Sequence, residues 1–556
     1  MKKMFKLLMC AAIVAAGFTA CSEEVIPIDN PEGPGVTPGE KESQPTNATF
    51  SFKLSDASTK SVYPDGSDPQ TVTDFRVLIF RTADNTLEVD TVKSVGASTD
   101  SLLTITLLSG SKRIFVYANG GFTSGGAPVV NTAPAYLGTP ATGSINTLAD
   151  VNNIFRFVTT ATPPAGYFSD VPLMHSLIYP SGITTLPPAK FFFSSRMNEP
   201  VKNLEPGVSA ADSKDPDNTN YLKLQIERPV AKVAITKSAT SDPTGITGST
   251  KILTRDSAGI ISDVQYRFWS VNVGFYPFQN YEGAALKTPE YLPTSPADTV
   301  VLKNYYAREL GKFTSATAPN DYIAIPNRTG VPSAGSFYYI SENSPSIKMR
   351  GNTTYAEVQT TFLPTQFHYV KLNTTEYTTH GGVNFVASAV AGTNGTFTVY
   401  PASTDLATAS DMYLFKETGV PGLLENTLFA GPDAVKLAKK ITYHLLNPTT
   451  PPLSAGIDAP AYVAITPAEI EAFFVKFEAG KAYYRLDIGN PSSGTNDYTV
   501  RRNYYYDAHI TGFARLGESG SIKLLNPVND VLAGTTNLTV VITLRNWEGV
   551  AIPGDL

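Results

Sequence analysis

Five histidines, His175, His368, His380, His444 and His509, are the first residues to weigh for chemistry in this chain of 556 residues. No two stand at a helical metal-ligand spacing, and no cysteine accompanies them. The sequence has no Gly-x-Ser-x-Gly, no phosphate-binding loop and no dinucleotide fingerprint. Carboxylate pairs such as Asp68 with Asp74, or Glu469 with Glu471, have the residue type for general acid–base work. Among 49 acidic residues they read more simply as solvated faces. A glycosidase needs only two carboxylates that the fold brings together, so that class stays open. Tyr504-Tyr505-Tyr506 is either a stacking platform for sugar rings or, since alternation runs on to His509, part of a packed strand. The expectation is no enzyme, no cofactor and no metal.

More definite covalent chemistry sits near the start. Lys2, Lys3 and Lys6 precede an apolar run from Leu7 to Phe18, too short to span a membrane, and residues 1–20 read as a signal peptide. Phe18-Thr19-Ala20-Cys21 resembles a bacterial lipobox, in which cleavage falls before a cysteine that is then acylated. The alternative is ordinary cleavage beside an incidental cysteine. Cys10 is discarded with the signal peptide, so Cys21 is the only cysteine left, and no disulfide framework within the chain is expected. Several acyl chains on Cys21 would anchor the precursor in the outer membrane. Ser22-Glu23-Glu24 resembles the acidic surface-export signal of Bacteroidota lipoproteins, and Val25 to Pro45 reads as a flexible tether.

A second covalent site is Lys60. It follows a strand, Ala48 to Leu54, in which Phe50, Phe52 and Leu54 alternate with polar residues. The polar loop beyond, Ser55 to Gly66, is accessible to a trypsin-like protease, with cleavage expected between Lys60 and Ser61. Lys53 lies inside the strand, and Arg76 and Arg81 lie in or beside the next one.

The elements around these sites are mostly strands. Phe75–Phe80, Leu102–Leu108 and Arg113–Asn119 follow one another with turns between, and Val171–His175 and Lys190–Phe193 add strand material. Asn146–Phe157 reads as a short helix. Asn203 to Asn220 is charged and poor in large apolar residues, which places a domain boundary there. Beyond it, Tyr221–Arg228, Val230–Ile235, Val264–Trp269, Thr354–Phe362, Gly395–Tyr400, Tyr483–Ile488, Asn503–Phe513 and Leu538–Leu544 read as strands. Asp433–Leu446 and Thr466–Phe477 read as helices, the second opening with a capping box and a proline at its first position. With a net charge of −6 and dispersed basic residues, nothing points to nucleic acid. The expectation is an all-β protein with a few short helices: a lipidated propeptide over 21–60, one domain over 61–220 and a second over 221–556.

Several of these stretches resemble the fimbrillins of Bacteroidales type V pili, above all the shaft subunit of the minor, or short, fimbriae. They are Arg228-Pro229-Val230-Ala231-Lys232-Val233, Ile261-Ser262-Asp263-Val264-Gln265-Tyr266, and Arg350-Gly351-Asn352-Thr353-Thr354-Tyr355 with Phe362 and Pro364. Val500-Arg501-Arg502-Asn503-Tyr504-Tyr505 and the ending Val540-x-Ile542-x-Leu544-x-x-Trp547 complete the set. The resemblance implies two transthyretin-like β-sandwiches, lipoprotein export, and removal of the first strand by a protease that is often arginine-specific. The gap is then filled by a strand from another subunit. Lys60 stands where the best-known relatives have Arg, so the protease need not be the same one. The donor implied is the segment of about 537–556, with Leu538, Val540, Ile542 and Leu544 alternating and Trp547 as anchor. Partners would be copies of itself, anchor and tip subunits, and the maturation protease, on a cell-surface fimbrium serving adhesion and biofilm formation. A tip or anchor role, a surface glycan-binding lipoprotein and a lipoprotein hydrolase are the rival readings.

The lipobox yields a test. Cys21→Ala is expected to leave the precursor unprocessed or misplaced and the cell without fimbriae, as seen by labelling with radioactive palmitate and by electron microscopy of cells. Normal surface assembly by this variant contradicts the expectation.

Overall fold

The computed structural model describes chiefly residues 44–54, 74–94, 102–118, 201–228, 230–238, 259–272, 322–328, 337–364, 410–416, 434–447, 460–489, 497–513 and 538–546, with short pieces between. The signal peptide, Cys21, Lys60, Ser61, Val171–His175 and Trp547 lie outside them, as does all of the expected Asn146–Phe157 helix except Leu148.

The chain is built mainly of strands in several sheets. In the first half these are β1 (Pro45–Leu54), β2 (Asp74–Arg81), β3 (Leu87–Ser94), β4 (Leu103–Leu108), β5 (Gly110–Ala118), β6 (Phe193–Ser194), β7 (Lys202–Leu204) and β8 (Tyr221–Ile226). One sheet has the order β3-β2-β5-β6, with β7 also on β5, and another the order β4-β1-β8. β2 shows why the sequence builds this layer. Phe75, Val77, Leu78, Ile79 and Phe80 are all buried, the continuous apolar run of a strand covered on both faces. The one charge in that run, buried Arg76, donates from Nε and Nη2 to the Asp90 carboxylate on β3 at 2.8 and 2.6 Å.

Two larger sheets follow. β9 (Val230–Ser238) runs parallel to Tyr504–Phe513, which pairs on its other side with Leu538–Asn546. β10 (Gly259–Trp269) pairs with Tyr355–Pro364, itself paired with Lys481–Asp487. A smaller sheet holds Met412–Phe415 and Phe474–Phe477, with the helices Ala434–Leu446 and Pro467–Phe473 beside it. One continuous buried cluster runs from Ala48, Phe50 and Phe115 in the first half to Tyr506, Ala508 and Ile510 near the end.

One expectation changes. The Thr466–Phe477 helix ends at Phe473, and Phe474–Phe477 is a strand paired with Met412–Phe415, because sheet pairing there overrides helical propensity. Of the expected Gly395–Tyr400 strand, Val399 and Tyr400 are described and lie in the strand Val399–Pro401, while 395–398 lie outside the described residues. Tyr221–Ile226 pairs with β1, whereas Val230–Ser238 pairs with Tyr504–Phe513. The residues Asn203–Asn220 are an organised polar segment against β1, described below.

At the helix start, Thr466 Oγ1 accepts from the Glu469 amide, and the Glu469 carboxylate accepts from the Thr466 amide at 2.7 Å. Thr466→Ala removes one half of this reciprocal cap. It is expected to lower stability by about 1 kcal/mol, measured as a shift of the urea midpoint at unchanged slope.

Candidate functional site

The stretch with the most unusual placement is β1. It runs antiparallel to β4, Pro45–Phe50 opposite Leu108–Leu103, and parallel to β8, Thr49–Leu54 beside Tyr221–Ile226. Only Thr49 and Phe50 have a strand partner on both sides. β4 and β8 are joined to each other in the sheet only through β1. Taking β1 away therefore leaves a slot with two unpaired edges.

The floor of the slot is apolar. Ala48 and Phe50 are fully buried and belong to the main core cluster with Leu107, Leu222 and Leu224. Burial of one Phe such as Phe50 contributes about 1.5–3 kcal/mol. Phe52 and Leu54 stand at register positions beside Leu224 and Ile226.

The first half of β1 has no β8 beside it, and the segment from Glu205 to Asn220 takes that place. The Gly207 amide donates to Pro45 O at 3.2 Å, Asn47 N to Val208 O at 3.1 Å, and Thr49 N to Asn220 O at 2.9 Å. Side chains complete the grip. Thr46 Oγ1 donates to Glu205 O at 2.6 Å and accepts from Val208 N at 3.1 Å. Asn47 Nδ2 donates to Val208 O at 2.9 Å, while its Oδ1 accepts from Thr106 Oγ1 at 2.8 Å. The Thr49 hydroxyl lies 2.9 Å from Thr104 Oγ1 and 2.8 Å from Ser213 Oγ. Fully buried Asn220 ties the ends together: its Nδ2 reaches Asn47 O and Thr46 Oγ1, each at 3.0 Å, and its Oδ1 accepts from Glu205 N at 2.8 Å. Thr46, Thr49 and Ser213 are buried as well. A segment poor in large apolar residues covers the core here because it satisfies the strand's polar groups.

The expected donor strand, Leu538–Asn546, lies at the end of its sheet, with Tyr504–Phe513 as its one neighbour. Register sets Val540, Ile542 and Leu544 opposite the buried Ile510, Ala508 and Tyr506. Leu538 stands opposite Phe513. β1 and Leu538–Asn546 thus lie in different sheets of one chain. The missed residues are Thr46, Asn47, Thr49, Ser213 and Asn220. A signal for the last was Asn218-x-Asn220 just ahead of a strand, a local turn closed by Asn220 N donating to Asn218 Oδ1 at 2.8 Å.

The other candidates resolve into packing. Tyr505 and Tyr506 are buried, and the Tyr506 hydroxyl donates to Thr499 O at 3.1 Å and accepts from Arg501 N at 2.8 Å. That is the strand reading of the tyrosine run. Glu469 is the capping carboxylate, and hydrogen bonds from the Thr466 amide and hydroxyl hold its pKa below the usual glutamate value. His509 sits between the Thr236 and Ser238 hydroxyls, and burial pushes its imidazole pKa down. Among the described residues no group of His, Cys, Asp and Glu could hold a metal ion.

Residues 48–176 match the family of the major fimbrial subunit protein (FimA), a stretch that begins inside β1 and includes β4. The resemblance to fimbrillins is thereby found in this part of the chain. No curated protein matches the chain. Among solved structures it is similar to a fimbrilin (FimA) of Porphyromonas gingivalis, at 13% identity over 90% of this chain and 98% of that one, with a TM-score of 0.35. It is similar to the tip fimbrial protein Mfa3 of the same organism, at 13% identity over 90% and 99%, with a TM-score of 0.31. The fimbrial anchor protein Mfa2, also of that organism, is similar at 10% identity over 57% and 78%, with a TM-score of 0.21.

Asn220→Ala removes the carboxamide that holds Thr46, Asn47 and Glu205 together. It is expected to cost about 2–4 kcal/mol, as several buried polar groups lose partners at once. Amide exchange over 46–50 should accelerate more than over β2. Unchanged protection of 46–50 contradicts the proposed grip.

Proposed function

We propose that the chain is a structural subunit of a fimbrial shaft, polymerised by strand exchange. The observation that carries this reading is the match of residues 48–176 to the major fimbrial subunit family, because the matched stretch begins within the strand that fills the slot. In the proposed sequence of events the precursor is exported with Cys21 acylated and held at the outer membrane. A trypsin-like protease then cuts between Lys60 and Ser61. The cut separates β1, with Phe50, Phe52 and Leu54, from the body of the subunit along with the lipid anchor. A strand from the next subunit, built on Leu538, Val540, Ile542 and Leu544 with Trp547 beyond, replaces it by β-augmentation. Donor and acceptor are different surfaces, so the contact is heterologous and the assembly grows as an open filament on the cell surface. Anchor and tip subunits would end the filament. The two proposed domains, 61–220 and 221–556, meet near Asn203–Asn220, ahead of the strand Tyr221–Ile226. The proposed role requires no catalytic chemistry and no cofactor.

Lys60→Ala is expected to accumulate as lipid-anchored monomer, while wild-type filaments begin at Ser61. N-terminal sequencing of purified filaments, with electron microscopy of the variant, checks both. Filaments that begin at Cys21, or normal polymerisation of the variant, overturn the strand-exchange reading. An uncut wild-type subunit at the filament base would assign it the anchor role.

A further inference from the structure

An alternating apolar strand tolerates a two-residue slip, because the same face still meets the core. The apolar floor of the slot therefore does not fix where a replacement strand stops. The polar half does, since Thr46, Asn47 and Thr49 each meet fixed partners: Glu205 O, Val208 O and the Ser213 hydroxyl.

Thr-Asn-x-Thr occurs at three places in this chain: Thr46–Thr49, Thr393–Thr396 and Thr536–Thr539. In the first, apolar Phe50, Phe52 and Leu54 stand three, five and seven residues after the asparagine. In the last, Val540, Ile542 and Leu544 stand at the same offsets. The middle copy has Pro401 at the final offset, the place of Leu54, which closes the ladder with Ile226, and proline brings no amide N–H to that pair. We infer that the slot reads Thr-Asn-x-Thr and accepts the C-terminal strand of a second copy in one register. Thr536, Asn537, Thr539 and Val540 then take the places of Thr46, Asn47, Thr49 and Phe50. This deepens the strand-exchange reading and rests on it.

The chemistry at each position agrees. Hydroxyl replaces hydroxyl at Thr46 and Thr49, carboxamide replaces carboxamide at Asn47, and Leu538 stands for Ala48 on the core side. A slip by two residues puts Val541, which has no polar side-chain atom, or the larger Asn537 at the Thr49 position. Half-buried Thr104 and buried Ser213 then lose their hydroxyl contacts to position 49, and a polar group covered without that contact is the costly outcome. The donor is also accessible to exchange, because among the described residues Leu538–Asn546 has one strand neighbour in its own chain.

Cysteine pairs that leave the polar grip intact test the register. Exposed Gln225 pairs with Lys53 in β1, and in the inferred register its partner is Thr543 of the next subunit. Gln225→Cys is combined with Thr543→Cys, or with Val541→Cys or Arg545→Cys as the slipped controls. Filaments assembled from each full-length precursor after maturation are oxidised and run on non-reducing gels. Position 543 is expected to give a disulfide ladder at least tenfold stronger than 541 or 545, since only there do Cα atoms fall within the about 4.4–6.8 Å a disulfide needs. Equal or stronger linkage at 541 or 545, or no linkage in filaments that do form, overturns the register while strand exchange survives. If neither wild type nor variants form filaments, the proposed function falls and the register with it. Adding Asn537→Leu with Thr539→Val is expected to spread linkage over all three positions, and linkage confined to 543 in that variant overturns the polar reading.

Discussion

The first half of this protein depends on one strand shared between partners from distant parts of the chain. β1 pairs with β4 on one side and β8 on the other, and its central residues carry both ladders. Apolar Ala48 and Phe50 join it to the core, and the segment up to Asn220 closes over its polar groups. Burial and hydrogen bonding are thus satisfied by the same residues, so neither can be lost without the other. A strand held in this way is ordered by tertiary contacts rather than by its own propensity.

Much of the local structure was legible. β2 reads as a strand from its apolar run, the helix start at Thr466 from its capping box, and the Tyr504–Phe513 strand from alternation. What local pattern does not encode is which strand lies beside which. Tyr221–Ile226 alternates as cleanly for one neighbour as for another, and its partnership with β1 follows from chain closure over more than a hundred residues. Phe474–Phe477 continues an apolar pattern that suits either a helix or a strand, and pairing with Met412–Phe415 decides it. The composition of Asn203–Asn220 does not by itself reveal its contacts with β1, for a physical reason. Polar composition marks a linker when the groups face water, and a grip when they face a buried strand. Only the second arrangement explains a fully buried Asn220.

The motifs that carry the family resemblance in the second half serve packing. Arg502 is fully buried and donates from Nε to Glu342 Oε2 at 2.8 Å, with its Nη2 on the other oxygen and on Tyr276 O. Its Nη1 reaches Ser194 Oγ of the first half at 3.4 Å. Burial pushes the Glu342 carboxyl up, and the Arg502 guanidinium opposes it. Asn343 Nδ2 donates to Asn352 O at 2.8 Å and to Thr354 Oγ1 at 2.9 Å in another buried network. Gly351 is fixed by space: a Cβ there would meet Leu302 Cδ1 at 2.8 Å and Val528 O at 3.1 Å. Residues of this kind hold a fold together, whereas the proposed function rests on the slot and its occupant.

An apolar groove with two open edges accepts almost any extended apolar segment, which is a hazard for any subunit that exposes one. Polar positions inside the groove change that balance. An occupant that places Val where the Thr104 and Ser213 hydroxyls converge removes the hydroxyl both of them contact at the buried Thr49 position. Discrimination between strands then comes from penalties on the wrong ones as much as from contacts with the right one. β1 carries Thr46, Thr49 and Ser51 at buried positions, a costly composition for a plug selected for stability alone. The same composition is reasonable for a strand that, in the proposed exchange, is matched by one other segment of the same sequence.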